Sequence, residues 1–63
     1  METTELRDNA NILKAIIKTL DSGFGEIRTP SGILKGYYDP IKNETRYANG
    51  ILFGKGNLLT QLV

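Results

Sequence analysis

The side chains that most often perform catalysis are scarce in this sequence. Histidine and cysteine are absent from all 63 positions, which excludes disulfides, zinc or iron sites built from those ligands, and catalysis by either side chain. Asp39 and Glu44 are near enough in sequence to suggest a pair of catalytic carboxylates. Such a pair needs an enclosed pocket that separates its two pKa values, and this short chain has little material to build one. Asp39, directly before Pro40, is interpreted as the start of a turn.

A second chemical candidate is the glycine-rich segment around Lys55. Residues 54–57 (Gly-Lys-Gly-Asn) have the composition of a phosphate-binding loop. Such a loop, however, places four residues between its first glycine and a Gly-Lys-Ser/Thr sequence. Here the serine or threonine is missing and the spacing differs. We therefore predict a protein without enzymatic activity, without a cofactor and without a metal site.

Basic, aromatic and aliphatic side chains in the second half of the chain could instead bind a partner. On one sheet face, the basic groups would contact phosphates and the rings would stack on bases, as in single-strand nucleic-acid binders. The formal net charge of +1 is too small to indicate nucleic acid by itself, and the aliphatic members favour a protein partner. For either partner, the candidate binding face consists of Arg28, Ile33, Lys35, Tyr37, Arg46, Ile51, Phe53 and Lys55.

A repeat in residues 26–54 predicts how these side chains are positioned. Glu, Arg, Gly, Ile, Leu and Gly recur at an offset of eighteen residues, beginning at Glu26 and again at Glu44. Each copy is typical of two short strands around a glycine turn, and Asn49-Gly50 is a strong hairpin signal because both turn positions need positive φ. We expect four antiparallel strands at about 25–29, 33–38, 43–47 and 51–55.

The length of each turn predicts which side chains lie opposite one another. With a two-residue turn, Arg46 of the second hairpin lies opposite Phe53. The same turn in the first hairpin places Arg28 opposite Lys35, a like-charge pair that destabilises a sheet. This register depends on the turn length, since a slip by one residue moves every side chain to the other face.

The N-terminal third has the pattern of a helix. Apolar residues recur at alternating spacings of four and three, which places them on one helical face. Gly23 would end the helix, because glycine readily takes the left-handed conformation found there. We predict one amphipathic helix over residues 1–22 that packs on the sheet. Its apolar positions are Leu6, Ala10, Leu13, Ile17 and Leu20.

The predicted fold class is therefore α+β, in a single small domain of residues 1–63. It combines the N-terminal helix with a four-stranded antiparallel meander of two repeated β-hairpins over residues 24–56. A short apolar tail, residues 57–63, follows. The tail fits one side of a short helix capped by Asn57, or equally an extra edge strand.

Self-association is expected because the core is thin. A domain of this size buries only about 60% of the surface that its unfolded chain exposes, and no disulfide or His/Cys metal site adds stability. We predict a homo-oligomer, with a dimer as the commonest form. Two isoleucines off the main helical stripe and the apolar tail would then be covered by a second subunit. The candidate oligomer contacts are Ile12, Ile16, Leu58, Leu59, Leu62 and Val63.

These features predict a small non-enzymatic, homo-oligomeric protein-interaction module. A phage or mobile-element accessory protein, or an inhibitor of a larger protein, would be such a module. The alternative is a small nucleic-acid-binding protein that uses the basic and aromatic sheet face. The N-terminus is acidic and polar, unlike a signal peptide, and no apolar run approaches the roughly 18 residues of a membrane span. The expected location is cytoplasmic, without membrane contact.

Overall fold

The computed structural model describes residues 1–63 and consists of one antiparallel sheet of six strands, which lie side by side in chain order. A 3₁₀ helix, Leu59–Leu62, follows the last strand. The strands are β1 (Glu2–Arg7), β2 (Leu13–Thr19), β3 (Gly25–Arg28), β4 (Leu34–Asp39), β5 (Glu44–Tyr47) and β6 (Leu52–Lys55). Because every strand pairs with the one before it, the sheet is a row of three hairpins.

The predicted N-terminal helix is wrong, and with it the α+β fold class. Residues 1–22 form the hairpin β1–β2, in which Leu6 lies opposite Ala15 and Thr4 opposite Ile17. The helical spacing of the apolar residues is produced by two strands on either side of a turn. The β-branched residues in both segments favour strands, and this local preference agrees with the observed fold. The sheet consequently has six strands rather than four.

The four strands predicted for the repeat region are present, at β3 to β6. Their turns are longer than predicted. In the last hairpin the Tyr47 amide donates to the carbonyl oxygen of Ile51, and the Gly50 amide donates to that of Tyr47, both at 2.8 Å. This pattern encloses three loop residues and requires the third to be left-handed, which is the second commonest hairpin connection. Gly50 has a φ of 91°.

The other two hairpins close in the same way. Amides of Asp8 and Thr29 donate to the carbonyl oxygens of Ile12 and Ile33, at 3.0 and 2.8 Å. Their third loop residues are also left-handed, with φ of 64° at Asn11 and 98° at Gly32. Asparagine tolerates this conformation better than other residues with a side chain, so Asn11 can replace glycine in the first hairpin.

The longer turns shift the register by one residue and add a β-bulge to each hairpin. Arg28 pairs with Leu34 and Arg46 with Leu52. The predicted opposition of Arg28 and Lys35, and of Arg46 and Phe53, is therefore wrong. In each hairpin one residue of the second strand has no pairing partner; these residues are Lys14, Lys35 and Phe53.

One face of the sheet is covered by the chain's own tail. Leu59 is 2% exposed and packs with Ala15 and Ile27 in the small core. Three leucines of the tail lie over glycines in three strands, where a side chain at the glycine would occupy their space. The pairs are Leu59 over Gly25, Leu62 over Gly36 and Leu58 over Gly54.

A buried threonine fixes the start of the tail. Thr45 is fully buried; its hydroxyl donates to the carbonyl oxygen of Gly56 at 2.6 Å and accepts from the amide of Leu58 at 2.9 Å. The Gly56 amide donates to the carbonyl oxygen of Asn43 at 2.7 Å. These bonds satisfy the buried hydroxyl and turn the chain from the sheet edge onto the sheet face.

Substitution of Gly36 by alanine tests the close packing between sheet and tail. The added Cβ would meet Leu62 and, at 2.5 Å, the backbone carbonyl oxygen of Arg46. Because a paired strand cannot move aside freely, we expect Gly36→Ala to lower the free energy of unfolding by about 1–3 kcal/mol, measured by urea denaturation. Gly54→Ala is the matched control: its Cβ would meet only the flexible end of Leu58, so the loss should be smaller. Equal losses would contradict this account.

Candidate functional site

The structure contains a third copy of the sequence repeat, at the N-terminus. Glu5, Arg7, Ile12 and Leu13 have the same spacing as Glu, Arg, Ile and Leu in the two copies found from sequence, twenty-one residues before the first of those. Where those copies have glycine, the N-terminal copy has Asn11 and Ala15. All three copies form equivalent hairpins with equivalent bulges.

Each hairpin carries the same side-chain arrangement, here named the turn clamp. It consists of an arginine whose Nη1 donates to the carbonyl oxygen of the left-handed turn residue and whose Nη2 donates to a glutamate two positions earlier. In the third hairpin Arg46 bonds Gly50 and Glu44, both at 2.8 Å. The guanidinium thereby links the turn to the strand.

The first two turn clamps use the same atoms at slightly longer distances. Arg7 donates to the carbonyl oxygen of Asn11 and to Glu5, both at 3.0 Å. Arg28 donates to the carbonyl oxygen of Gly32 at 3.0 Å and to Glu26 at 3.4 Å. The third turn clamp has the shortest hydrogen bonds, and its arginine and glutamate are the least exposed of the three pairs. For both reasons we infer that it is the strongest of the three clamps.

Glu44 is the electrostatic centre of the third clamp. Lys55 on β6 donates to the second carboxylate oxygen of Glu44, Oε2, at 2.7 Å. The Glu44 side chain is only 12% exposed. The hydrogen bonds from Lys55 and then from Arg46 lower the pKa of Glu44 below its usual value; they outweigh partial burial, which acts in the opposite direction. The carboxylate therefore stays ionised and holds both cations.

The structure separates the candidate binding face into two groups. Arg28, Arg46 and Lys55 are bonded to glutamates of the same chain, and Tyr37 lies in register between Glu26 and Arg46. These residues share one surface of mixed charge. The other group lies toward the turns and consists of Ile33, Lys35, Ile51 and Phe53.

Of the second group, Phe53 is partly covered and Lys35 is free. The Phe53 ring packs edge-on against the ring of Tyr47, with centroids 5.3 Å apart. Lys35 is exposed and forms no ion pair. Lys14, the residue equivalent to Lys35 in the first hairpin, is also exposed and unpaired.

The candidate oligomer contacts also differ in their accessibility. Leu59 is buried in its own chain, while Leu58 and Leu62 are half-buried where they pack on the glycines of the sheet. Ile16 is half-buried in β2, where it pairs with Glu5 and Arg28. The side chains with most surface to offer a second copy are Ile12 and Val63. Whether any of these residues contacts another subunit stays a prediction.

The most regular exposed feature is a line of three isoleucines, here named the isoleucine row. Each follows the left-handed residue of its hairpin, and all three hairpin turns lie at the same end of the sheet. Successive members are two strands apart, or about 10 Å. The row consists of Ile12, Ile33 and Ile51, which are 62%, 63% and 61% exposed.

Sequence reasoning missed the first hairpin's part in this site, namely Glu5, Arg7 and the position of Ile12. A signal was present, because the pattern Glu-x-Arg followed by Ile-Leu after four residues occurs three times. It was obscured because the first copy lacks both glycines, and its apolar residues also match a helical period.

No protein-family model, curated protein or solved structure matches the chain. The surface has no enclosed pocket, and no three His, Cys, Asp or Glu side chains are grouped as metal ligands would be. None of the helical structure has the length and hydrophobicity needed to cross a membrane. The site is thus defined by its own geometry: three turn clamps and the isoleucine row beside them.

Glu44→Gln tests the role of the third clamp through the pH dependence of stability. Because folding lowers the pKa of Glu44, its contribution is complete above the ordinary glutamate pKa of about 4.3. That contribution is lost as the pH falls through the lowered pKa of the folded state. Urea denaturation at a series of pH values should show the wild type losing stability over this acidic range. We expect a shallower loss in Glu44→Gln.

Glu26→Gln is the matched control for this measurement. Glu26 occupies the equivalent position of the second hairpin, but it has a single bond of 3.4 Å to Arg28 and no lysine partner. Its replacement should leave most of the acid-dependent loss intact. Parallel pH profiles for Glu44→Gln and the wild type would contradict the assignment to Glu44.

Proposed function

We propose that this chain is a small, non-enzymatic protein-interaction module that forms a homo-oligomer and presents the isoleucine row to another protein. The observation that carries the proposal is the row itself. Three large aliphatic side chains, each more than half exposed, occupy equivalent positions at one end of the sheet. Single exposed hydrophobic residues are normal on a protein surface, whereas the same large aliphatic residue at the same position of three successive hairpins is a regular pattern that one partner can contact at several points.

The fold does not need isoleucine at these positions. The hairpins are closed by backbone bonds, by the left-handed residue and by the turn clamp. The isoleucine side chains leave most of their surface in solvent, so they contribute little burial to folding. A polar side chain at these positions would suit the turn equally well. Contact with a partner explains why all three positions carry an aliphatic residue instead.

Self-association is supported by the thinness of the core. Seven of the 63 residues are buried, and the tail covers only one face of a single-layer sheet. Both outer strands, β1 and β6, have a neighbour on one side only, and an open strand edge is a ready site for pairing with another chain. A dimer, in which two copies cover each other's surface, is the simplest assembly of this kind.

The geometry gives less support to the alternative of nucleic-acid binding. Affinity for nucleic acid comes largely from cations that neutralise phosphates. Arg28 and Arg46 already bond a glutamate and a backbone carbonyl, and Lys55 bonds Glu44. Among the predicted cations, Lys35 is the one without such a partner. A phosphate would have to compete with these contacts within the chain.

Light scattering after size exclusion, at low and high salt and with absorbance at 260 and 280 nm, tests the proposal. We expect the mass of a dimer at both salt concentrations and no excess absorbance at 260 nm, because apolar contacts and strand pairing are little screened by salt. A monomer at all concentrations would contradict the homo-oligomer. Excess absorbance at 260 nm that is lost in high salt would contradict the protein-interaction proposal in favour of nucleic acid.

Ile33→Ser, the central substitution in the row, extends this experiment. Since the residue is exposed, the change should alter the free energy of unfolding by no more than about 0.5 kcal/mol. We expect the dimer to persist, which leaves the row free for another protein. Ile41→Ser is the matched control, because Ile41 is 86% exposed at the opposite end of the sheet. Loss of the dimer in Ile33→Ser alone would instead place the row between copies.

A further inference from the structure

We propose that the isoleucine row is a docking surface for an amphipathic α-helix that carries acidic residues beside its apolar stripe. This inference rests on the proposed function and names the class of partner. It is carried by the spacing of the row and by the charges next to it.

The spacing of the row matches the period of a helix. Neighbouring strands are about 4.8 Å apart, so isoleucines two strands apart are separated by about 9.6 Å. A helix rises about 1.5 Å per residue, and residues seven apart lie on nearly the same face about 10.5 Å apart. Helix residues at positions i, i+7 and i+14 can therefore contact all three isoleucines at once.

An extended strand does not match the same spacing. Side chains on one face of a strand recur every two residues, which gives separations of about 6.6 and 13 Å. Residues three apart span about 10 Å, but they point to opposite faces. A strand laid across the row could thus meet one or two of the isoleucines, whereas a helix meets three.

The charges beside the row indicate which helix fits. Lys14 and Lys35 lie two residues after the isoleucines of the first two hairpins, are exposed, and form no ion pair. The arginines of the turn clamps are already bonded to glutamates. The nearby carboxylate of Asp8 accepts the amides of Ala10 and Ile12 at 2.8 and 3.0 Å. The unpaired cations beside the row are therefore these two lysines; Lys18 and Lys42 also form no ion pair but lie farther from the three hairpin turns.

The third hairpin gives the surface a direction. Phe53 occupies the position equivalent to Lys14 and Lys35, so one end of the row is flanked by an aromatic ring and the rest by cations. A partner helix would carry glutamate or aspartate along two thirds of its contact and an apolar residue at the remaining end. This asymmetry distinguishes the two orientations of a helix on the row.

The length of the row is close to that of a short helix. The row extends over four strand spacings, or about 19 Å. A helix of fifteen residues is about 22 Å long. Contact through three side chains and two lysines is small for a stable interface, so the complex belongs among weak or transient ones.

A synthetic helical peptide provides the direct test. The probe has leucine at positions 1, 8 and 15, glutamate beside the first two leucines, and a fluorescent label for anisotropy with the full chain. The control peptide has the same composition with leucine at positions 1, 6 and 11, which do not share a helical face. We expect the probe to bind at least tenfold more tightly than the control peptide.

Variants of the chain identify the surface that the probe uses. Ile33→Ser should weaken probe binding at least tenfold, and Ile41→Ser, at the other end of the sheet, should leave it unchanged. Lys14→Glu with Lys35→Glu should weaken it severalfold, with a smaller effect at high salt. Circular dichroism and urea denaturation of each variant check that the sheet is retained.

The outcomes separate this inference from the proposed function. Equal binding of probe and control peptide, or an unchanged affinity in Ile33→Ser, would overturn the helix-docking inference. If the probe does not bind but Ile33→Ser abolishes the dimer, the row is an interface between copies; the helix-docking inference and the presentation of the row to another protein both fail, and the homo-oligomer remains. If the chain is monomeric and Ile33→Ser changes neither measurement, both are wrong.

Discussion

The fold depends on one local constraint, the left-handed residue that closes each hairpin. Only glycine or asparagine occupies it, at Asn11, Gly32 and Gly50, because other side chains meet the backbone in that conformation. The carbonyl oxygen of this residue accepts a hydrogen bond from the arginine of the turn clamp. The left-handed backbone and the charged side chain therefore stabilise the same turn. This coupling fixes the three-residue turn, and the turn fixes the bulge and the register of the strands that follow.

The small core of this single-layer sheet is built by packing the tail on one face, and glycines in the strands allow the tail to lie close to the sheet. Where strands lack side chains, the tail can lie directly on the backbone, and Leu58, Leu59 and Leu62 fill the space that three side chains would otherwise occupy. Burial of a large aliphatic group stabilises by about 1.5–3 kcal/mol, which is substantial for a chain of this length. The second glycine of the repeat therefore serves tail packing, while the first serves the turn.

The sequence predicted the parts of the fold that depend on glycine signals and failed where those signals are replaced. The strands of the last two hairpins follow from turn residues and alternation. The first hairpin has Asn11 and Ala15 at the glycine positions, and Leu6, Leu13 and Ile17 fit a helical spacing by coincidence. The predicted register was wrong because a glycine at the end of the turn fits both a two-residue turn and a three-residue turn whose last residue is left-handed. The structure has the three-residue turn, with Gly32 and Gly50 left-handed. Ile12 could be recognised as the third member of the isoleucine row only after the N-terminal helix was replaced by a hairpin and the turns were found to have three residues.

The repeat also determines which residues would meet if the outer strands of two copies paired. Successive hairpins join in a constant register, with Ile16 opposite Arg28 and Tyr37 opposite Arg46. The same register between β6 of one copy and β1 of another would place Lys55 opposite Arg7, and like charges directly opposite destabilise a sheet. Gly56 then turns the chain away from the edge, where β2 and β4 continue. The register of the repeat thus disfavours pairing between β6 of one copy and β1 of another.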